Sequence, residues 1–126
     1  MNIPSNLKNN YRKSASLLRV ISHPVRMAIL DILLSNEEEC VCHMEAILGC
    51  RQAYLSQHLM TLREAGIVTD RRDGRNVFYR VENNDYKKLI FAVKNITGQN
   101  NQSIFFEALE CNCPKCVRKI IQENPE

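Results

Sequence analysis

The fold is decided by one stretch of sequence, Leu48-Gly49-Cys50-Arg51-Gln52-Ala53-Tyr54-Leu55-Ser56-Gln57-His58-Leu59. Gly49 ends a short apolar helix that begins at Cys40, because glycine readily adopts the left-handed conformation found at helix ends. A second helix is predicted from Gln52 to Ala65, since leucines recur there at helical spacing. Two helices separated by so short a turn are typical of a helix-turn-helix.

Two further helices are predicted on the N-terminal side of this motif. The segments Leu7 to Ile21 and Pro24 to Leu34 each place apolar residues on one stripe. His23-Pro24 separates them, because the residue before a proline avoids helical angles and proline suits the first turn of a helix. We expect His23 to pack or cap beside Pro24.

The periodicity changes after Gly66. Two strands are predicted, Val68 to Arg72 and Asn76 to Val81, joined through the favoured hairpin turn Asp73-Gly74. Helical spacing returns from Asp85 to Thr97. The predicted fold class is therefore α+β and mostly α, a winged helix-turn-helix of about five helices plus a two-stranded wing.

Composition bounds the class of protein. The 126 residues suffice for one modest core, and 44% hydrophobic and 25% charged residues are ordinary for a globular domain. No stretch approaches the roughly 20 apolar residues of a membrane span, and the N-terminus lacks the apolar core of a signal peptide, so we expect a cytoplasmic protein with no membrane partner. No nucleophile–base pair is readable from spacing, which disfavours an enzyme.

The second helix of the motif carries polar side chains near its start, as a helix that reads base edges requires. Gln52, Ser56 and Gln57 fit that task, and His58 is a further candidate. Glutamine can bond bidentately to adenine, while serine and histidine can bond bases or phosphates. The alternative is an ordinary amphipathic helix with a solvated polar face.

The predicted wing is basic. The net charge of the chain is +3, and Arg51 to Arg80 holds six arginines against three acids, an excess equal to that of the whole chain. Arg71, Arg72 and Arg75 lie around the wing tip, where they are candidates for contact with phosphates or the minor groove.

Six cysteines are many for this length. In a cytosolic chain, closely spaced cysteines are more often metal ligands or redox centres than disulfides. Cys40 and Cys42 cannot chelate one ion from the middle of a helix, since residues two apart point nearly opposite ways. They could do so if Cys40 lies at or before the first turn. Cys50 is expected to be a buried small hydrophobe and His43 a surface side chain.

A second cluster, Cys111-Asn112-Cys113-Pro114-Lys115-Cys116, is a stronger chelating pattern. Pro114 prevents a continuous helix, so the loop can wrap an ion. Soft thiolates select ions such as Zn, Cd, Pb or Cu(I), and arsenite is an equally suitable thiophile.

The ordered set of motifs resembles the ArsR–SmtB family of bacterial metal-responsive repressors. The family's box Glu-Leu-Cys-Val-Cys-Asp-Leu is present as Glu38 to Met44, and its recognition-helix pattern Ser-x-His-Leu as Ser56 to Leu59. Three further family patterns match as well. The second-helix signature is present as His23-Pro24-x-Arg26-x-x-Ile29-Leu30, and the entry to the first strand as Leu62-Arg63-x-x-Gly66-Ile67-Val68. The wing pattern is present as Gly74-Arg75 to Tyr79.

The resemblance implies a homodimer that represses transcription from a near-palindromic operator in double-stranded DNA and releases it when an inducer binds. Its dimer interface would be the first helix and the Asp85 to Thr97 helix. We expect residues 1–97 to form the winged helix-turn-helix DNA-binding and dimerisation domain, and residues 98–126, which match no family pattern, to form a Cys-rich C-terminal extension. The Asp-x-His and His-x-x-Glu ligands of the family's zinc sensors are lacking from that last helix, which favours sensing by thiolates.

Four interpretations of the thiols remain open. Cys40 and Cys42 share one site with tail cysteines of the same or the partner protomer, or the tail forms a separate site. Alternatively, the thiols sense redox or reactive sulfur species through disulfide formation, or they hold a structural zinc. The candidate metal ligands are Cys40, Cys42, Cys111, Cys113 and Cys116, and the candidate ions are arsenite, Cd, Pb and Zn.

Overall fold

The computed structural model describes residues 3–99. Its elements follow the order α1 (Ser5–Ile21), α2 (Pro24–Ser35), β1 (Glu39–Cys40), α3 (Val41–Leu48), α4 (Gln52–Glu64), β2 (Thr69–Asp73), β3 (Asn76–Arg80) and α5 (Asp85–Ile96). The predicted winged helix-turn-helix is confirmed, with α3 and α4 as the motif and β2 and β3 as the wing. The tail cysteines at positions 111, 113 and 116 lie outside the described residues.

Local signals set the helix boundaries. His23 is extended and its Nδ1 accepts a hydrogen bond from the Val25 N–H at 3.1 Å, so it caps α2 as expected. Gly49 ends α3 with a φ of 65°, a left-handed conformation that costs other residues about 1 kcal/mol or more. Its N–H bonds to the Glu45 carbonyl at 2.9 Å, which closes the last turn before α4.

The sheet has one strand more than the sequence predicted. Its order is β1-β3-β2 and both pairings are antiparallel. Strand β1 places Glu39 opposite Tyr79 and Cys40 opposite Phe78. A strand of two residues shows no alternation, which is why periodicity could not reveal it. The wing is therefore tied directly to the residues that precede α3.

The core lies between α2, the motif helices and the sheet. Leu55, Leu59 and Leu62 of α4 are fully buried, as their helical spacing predicted, and Ala65, which directly follows α4, is exposed. Burying each such leucine stabilises the fold by about 1.5–3 kcal/mol. The remaining fully buried apolar side chains come from α2, α3, the strand entry and β3, and they are Ile29, Leu30, Ile32, Leu33, Met44, Val68 and Phe78.

Apolar side chains also remain on the surface of two helices. Leu7, Tyr11 and Leu18 of α1 are 43%, 65% and 53% exposed. Phe91 and Ile96 of α5 are 60% and 84% exposed. Large apolar residues exposed in groups are characteristic of interaction surfaces.

Within residues 3–99, none of the helices combines the length and the apolar character needed to cross a bilayer.

Neighbouring residues on α4 test this packing. Leu59 is fully buried and Met60 is 60% exposed. We expect Leu59→Ala to lower the free energy of unfolding by about 2–5 kcal/mol, because it removes packed atoms and leaves a cavity. Met60→Ala should change it by no more than about 0.5 kcal/mol. Urea unfolding at one fixed protein concentration measures both, and equal losses would contradict the described orientation of α4.

Candidate functional site

The exposed face of α4 carries three of the residues predicted to read bases. Gln52 and Gln57 are exposed and Ser56 is half-buried. Gln52 and Ser56 are four residues apart and share one side of the helix, while Gln57 lies about 100° further round, on the side away from the leucines. The opposite side is held in the core by the leucines, which leaves this polar surface free to enter a groove.

His58 lies on the other side of α4 and is not part of that surface. It is 8% exposed, and its Nδ1 accepts a hydrogen bond from Arg26 Nε at 3.0 Å. Burial foremost, and then the charges of His23 and Arg26, lower the pKa of His58 below its ordinary value. The structure therefore removes His58 from the candidate DNA contacts. Its spacing, three residues after Leu55 and four before Leu62, already indicates the buried side.

The three arginines of the wing differ in their surroundings. Arg71 donates two hydrogen bonds to the Glu38 carboxylate, at 2.9 and 2.5 Å, and lies over the Phe78 ring at 4.6 Å. The bond to Glu38 is the main cause that raises the pKa of Arg71. Arg72 and Arg75 are exposed around the turn. The charge of Arg71 is thus balanced within the protein, while that of Arg72 and Arg75 faces solvent.

Cys40 lies at the junction of β1 and α3. Its backbone is extended, with φ −84° and ψ 159°, and its Sγ accepts the His43 N–H at 3.2 Å as the N-cap of α3. The side chain is 1% exposed, while that of Cys42, in the first turn of α3, is half-buried. Because Cys40 is not helical, the geometric objection to chelation by Cys40 and Cys42 from a regular helix does not apply.

A buried polar pair flanks the same junction. The Glu39 carboxylate contacts His43 Nδ1, and the two residues are 2% and 9% exposed. The expectation that His43 is a surface side chain was therefore wrong. The pairing of β1 with β3 buries Glu39, and the spacing of four residues brings His43 against it. The spacing of four residues was visible in the sequence, but the burial depends on strand β1, which the sequence did not reveal.

The described residues supply only part of a metal site. Among residues 3–99, no three Cys, His, Asp or Glu side chains are arranged to hold a metal ion. Cys40 and Cys42 provide two thiols at one helix start, fewer than the three or four that soft ions take. Cys50 is half-buried, packs against the core and directs its Sγ to the Leu48 carbonyl at 3.7 Å, close to the small hydrophobe that was expected.

Comparison with known proteins agrees with this architecture. Residues 23–70 match the family described as "Bacterial regulatory protein, arsR family". The Biofilm growth-associated repressor of Agrobacterium fabrum is 43% identical over 79 residues, which cover 63% of this chain and 67% of that protein. The crystal structure of NolR from Sinorhizobium fredii superposes with a TM-score of 0.71 at 28% identity, over 78% of this chain and 97% of that one.

A further relative is known in sequence and in structure. HlyU of Vibrio cholerae, named a transcriptional activator, is 33% identical over 96 residues, which cover 76% of this chain and 88% of that protein. The structure of reduced HlyU superposes with a TM-score of 0.66 at 31% identity, over 74% of this chain and 97% of that one. The chain belongs to the ArsR family of bacterial regulatory proteins, and it is a DNA-binding transcriptional regulator and not an enzyme.

Proposed function

We propose that this regulator is a homodimeric repressor that releases its operator when a thiophilic ion binds its cysteine thiolates. Arsenite, Cd, Pb and Zn are the candidate ions, because thiolates prefer soft metals and metalloids. The observation that carries the proposal is the position of Cys40. This one residue is both the end of β1 and the N-cap of α3.

Cys40 is connected to both elements that contact DNA in a winged helix-turn-helix. Through β1 it pairs with Phe78 of β3, and β3 is a strand of the wing. Through its Sγ it caps α3, which packs against α4. A ligand that takes the sulfur weakens the cap, and a lost cap costs a helix about 1 kcal/mol. A change of that size is within the usual range of coupling between an effector site and a binding site, about 1–3 kcal/mol.

The tail supplies the remaining ligands in this proposal. Cys111, Cys113 and Cys116 lie outside the described residues, and their C-x-C-x-x-C spacing suits chelation by a loop. Together with Cys40 and Cys42 they supply enough thiolates for either kind of site. Pb or arsenite requires three thiolates, and Cd or Zn requires four. A bound ion would tie the tail to the start of α3.

DNA recognition is assigned to the exposed face of α4 and to the wing. Gln52, Ser56 and Gln57 would contact base edges, while Arg72 and Arg75 would contact phosphates. Arg71, although bonded to Glu38, lies beside them on β2 and would add to the positive potential. In a dimer, the two α4 helices would contact half-sites about one helical turn apart.

Dimerisation is assigned to α1 and α5. Their surfaces expose Leu7, Tyr11 and Leu18 on one helix and Phe91 and Ile96 on the other. Burial of these side chains against a second copy would remove the largest apolar exposure from solvent.

The alternative function is sensing of oxidants or reactive sulfur by the same thiols. It is favoured by the proximity in sequence of Cys40 and Cys42, and by a relative whose structure is known in a reduced form. It leaves the three-thiol spacing of the tail unexplained. The two functions differ in one respect that can be measured, since only the metal sensor releases DNA under fully reducing conditions.

Cysteine variants test the sensing role. We expect Cys40→Ser and Cys42→Ser to retain operator affinity within about threefold, because serine can cap α3 in place of cysteine. Neither variant should release the operator when Cd or arsenite is added to reduced protein. Cys50→Ser is the matched control and should release as the wild type does. Electrophoretic mobility shifts measure all three, and release by both the Cys40 and Cys42 variants would contradict the proposal.

Two kinds of DNA contact predict different responses in the wing and in α4. Arg72→Ala and Arg75→Ala should each reduce the magnitude of the negative slope of log K against log salt by about 0.9, because each removes one phosphate contact. Gln52→Ala should weaken binding to the operator by about 1–3 kcal/mol with little effect on random DNA. Equal weakening of operator and random DNA by Gln52→Ala would exclude base reading by that residue.

A further inference from the structure

The buried side of α4 is held by a polar cluster that no DNA or thiol contact uses. We propose that the hydrogen bond from Arg26 to an uncharged His58 positions the recognition helix, so that protonation of His58 weakens operator binding. This inference rests on the proposed role of α4 as the helix that reads DNA.

One guanidinium connects three helices. Arg26 in α2 donates from Nε to His58 Nδ1 of α4 at 3.0 Å, and from Nη1 to the Val20 carbonyl near the end of α1 at 3.0 Å. The planar fork of an arginine fixes the directions of both bonds. This side chain therefore helps to fix the orientation of α4 relative to α1 and α2, in addition to the packing of the leucines.

The geometry defines the protonation state of His58. Since Nδ1 accepts from Arg26, the ring proton of the neutral imidazole must lie on Nε2. His58 Nε2 is buried and has no hydrogen-bond partner among the described residues. The Arg26 bond is thus the polar contact that holds the ring. A second proton, on Nδ1, would abolish the acceptor and turn the contact into a repulsion between two cations.

Burial and the two basic side chains that face His58, those of His23 and Arg26, oppose its protonation. From α2, the His23 ring lies 4.4 Å away and Arg26 supplies a full positive charge. On α4 itself, Tyr54 meets His58 edge to face at 4.7 Å, and the α1 side contributes the Val20 carbonyl through Arg26. None of these is an acid. The pKa of His58 is accordingly below 6.5, with burial as the largest cause.

The direction of the pH effect follows from that shift. Above pH 6.5 His58 is mainly neutral in the folded and unfolded chain, and the Arg26 bond is intact. As the pH falls through the lowered pKa, the folded chain must accept a proton in a site built for the neutral ring, so the contribution is lost. Ser56 and Gln57 directly precede His58, and a displaced ring would shift both of these reading residues.

Operator affinity of the full-length, reduced protein, measured with a metal chelator by fluorescence anisotropy from about pH 7.5 to about pH 5.5, tests the proposal. We expect the wild type to lose affinity several-fold, and by less than about tenfold, over this range, because at about pH 5.5 the protonated form of a group with a pKa below 6.5 exceeds the neutral form by less than about tenfold. In His58→Asn, the amide oxygen replaces Nδ1 as acceptor at every pH, so affinity should stay within about twofold. Arg26→Gln should bind about tenfold more weakly at pH 7.5 and show little further loss.

The controls separate this role from a general effect on stability. The chain has three histidines, and His43→Gln should retain the fall in affinity seen in the wild type. His23→Asn keeps a cap at α2 but removes one cause of the lowered pKa of His58, so it should retain the fall and move it to higher pH. A flat profile for the wild type, an unchanged fall in His58→Asn, or full affinity in Arg26→Gln would each overturn the proposal. Operator binding that tolerates substitution of Gln52 and Gln57 would instead overturn the role of α4 on which it rests.

Discussion

Cys40 links the sheet to the helix-turn-helix, and the His43 N–H donates a hydrogen bond to its Sγ. This bond caps α3 at the point where β1 ends, so one residue joins the sheet to the helix-turn-helix. Strand pairing with Phe78 fixes the wing to the same point. The leucines of α4 then fix the recognition helix against α3 and α2. Cys40 therefore contacts the wing directly through strand pairing, and it reaches α4 through α3, which packs against it.

The electrostatic arrangement separates structural charges from charges offered to a partner. Glu38 balances Arg71, and Asp31 balances Lys94 at 3.0 Å between α2 and α5. Arg72 and Arg75 remain exposed at the wing turn. His58, by contrast with these exposed arginines, belongs to α4 but is buried and accepts a hydrogen bond from Arg26. Position along a motif is thus a weaker guide to a residue's role than the side of the helix on which it lies.

The sequence predicted those features that local signals encode. Pro24 with the His23 cap and the left-handed Gly49 depend on a few neighbouring residues, and both were predicted correctly. The hairpin was predicted as well, but Asp73 ends β2 and pairs with Asn76, so the turn is Gly74-Arg75, one residue later than predicted. Strand β1 was missed because two residues carry no period, and the burial of His43 was missed with it. Helical spacing correctly indicated that Gln52 and Gln57 are exposed. For His58 the two signals disagreed, because its helical spacing indicates the buried side while the Ser-x-His-Leu motif suggested a DNA contact. The tail cysteines lie outside the described residues, and their role as ligands stays a prediction.

The central claim is that a soft ion bound by reduced thiols releases the operator. The most direct test titrates fully reduced protein with arsenite, Cd, Pb or Zn under anaerobic conditions, while thiolate-to-metal absorbance and operator anisotropy are recorded in the same sample. The account predicts that at least one of these ions binds stoichiometrically per protomer and that DNA release follows its binding in step. Stoichiometric binding without release, or release only after an oxidant is added, would contradict it.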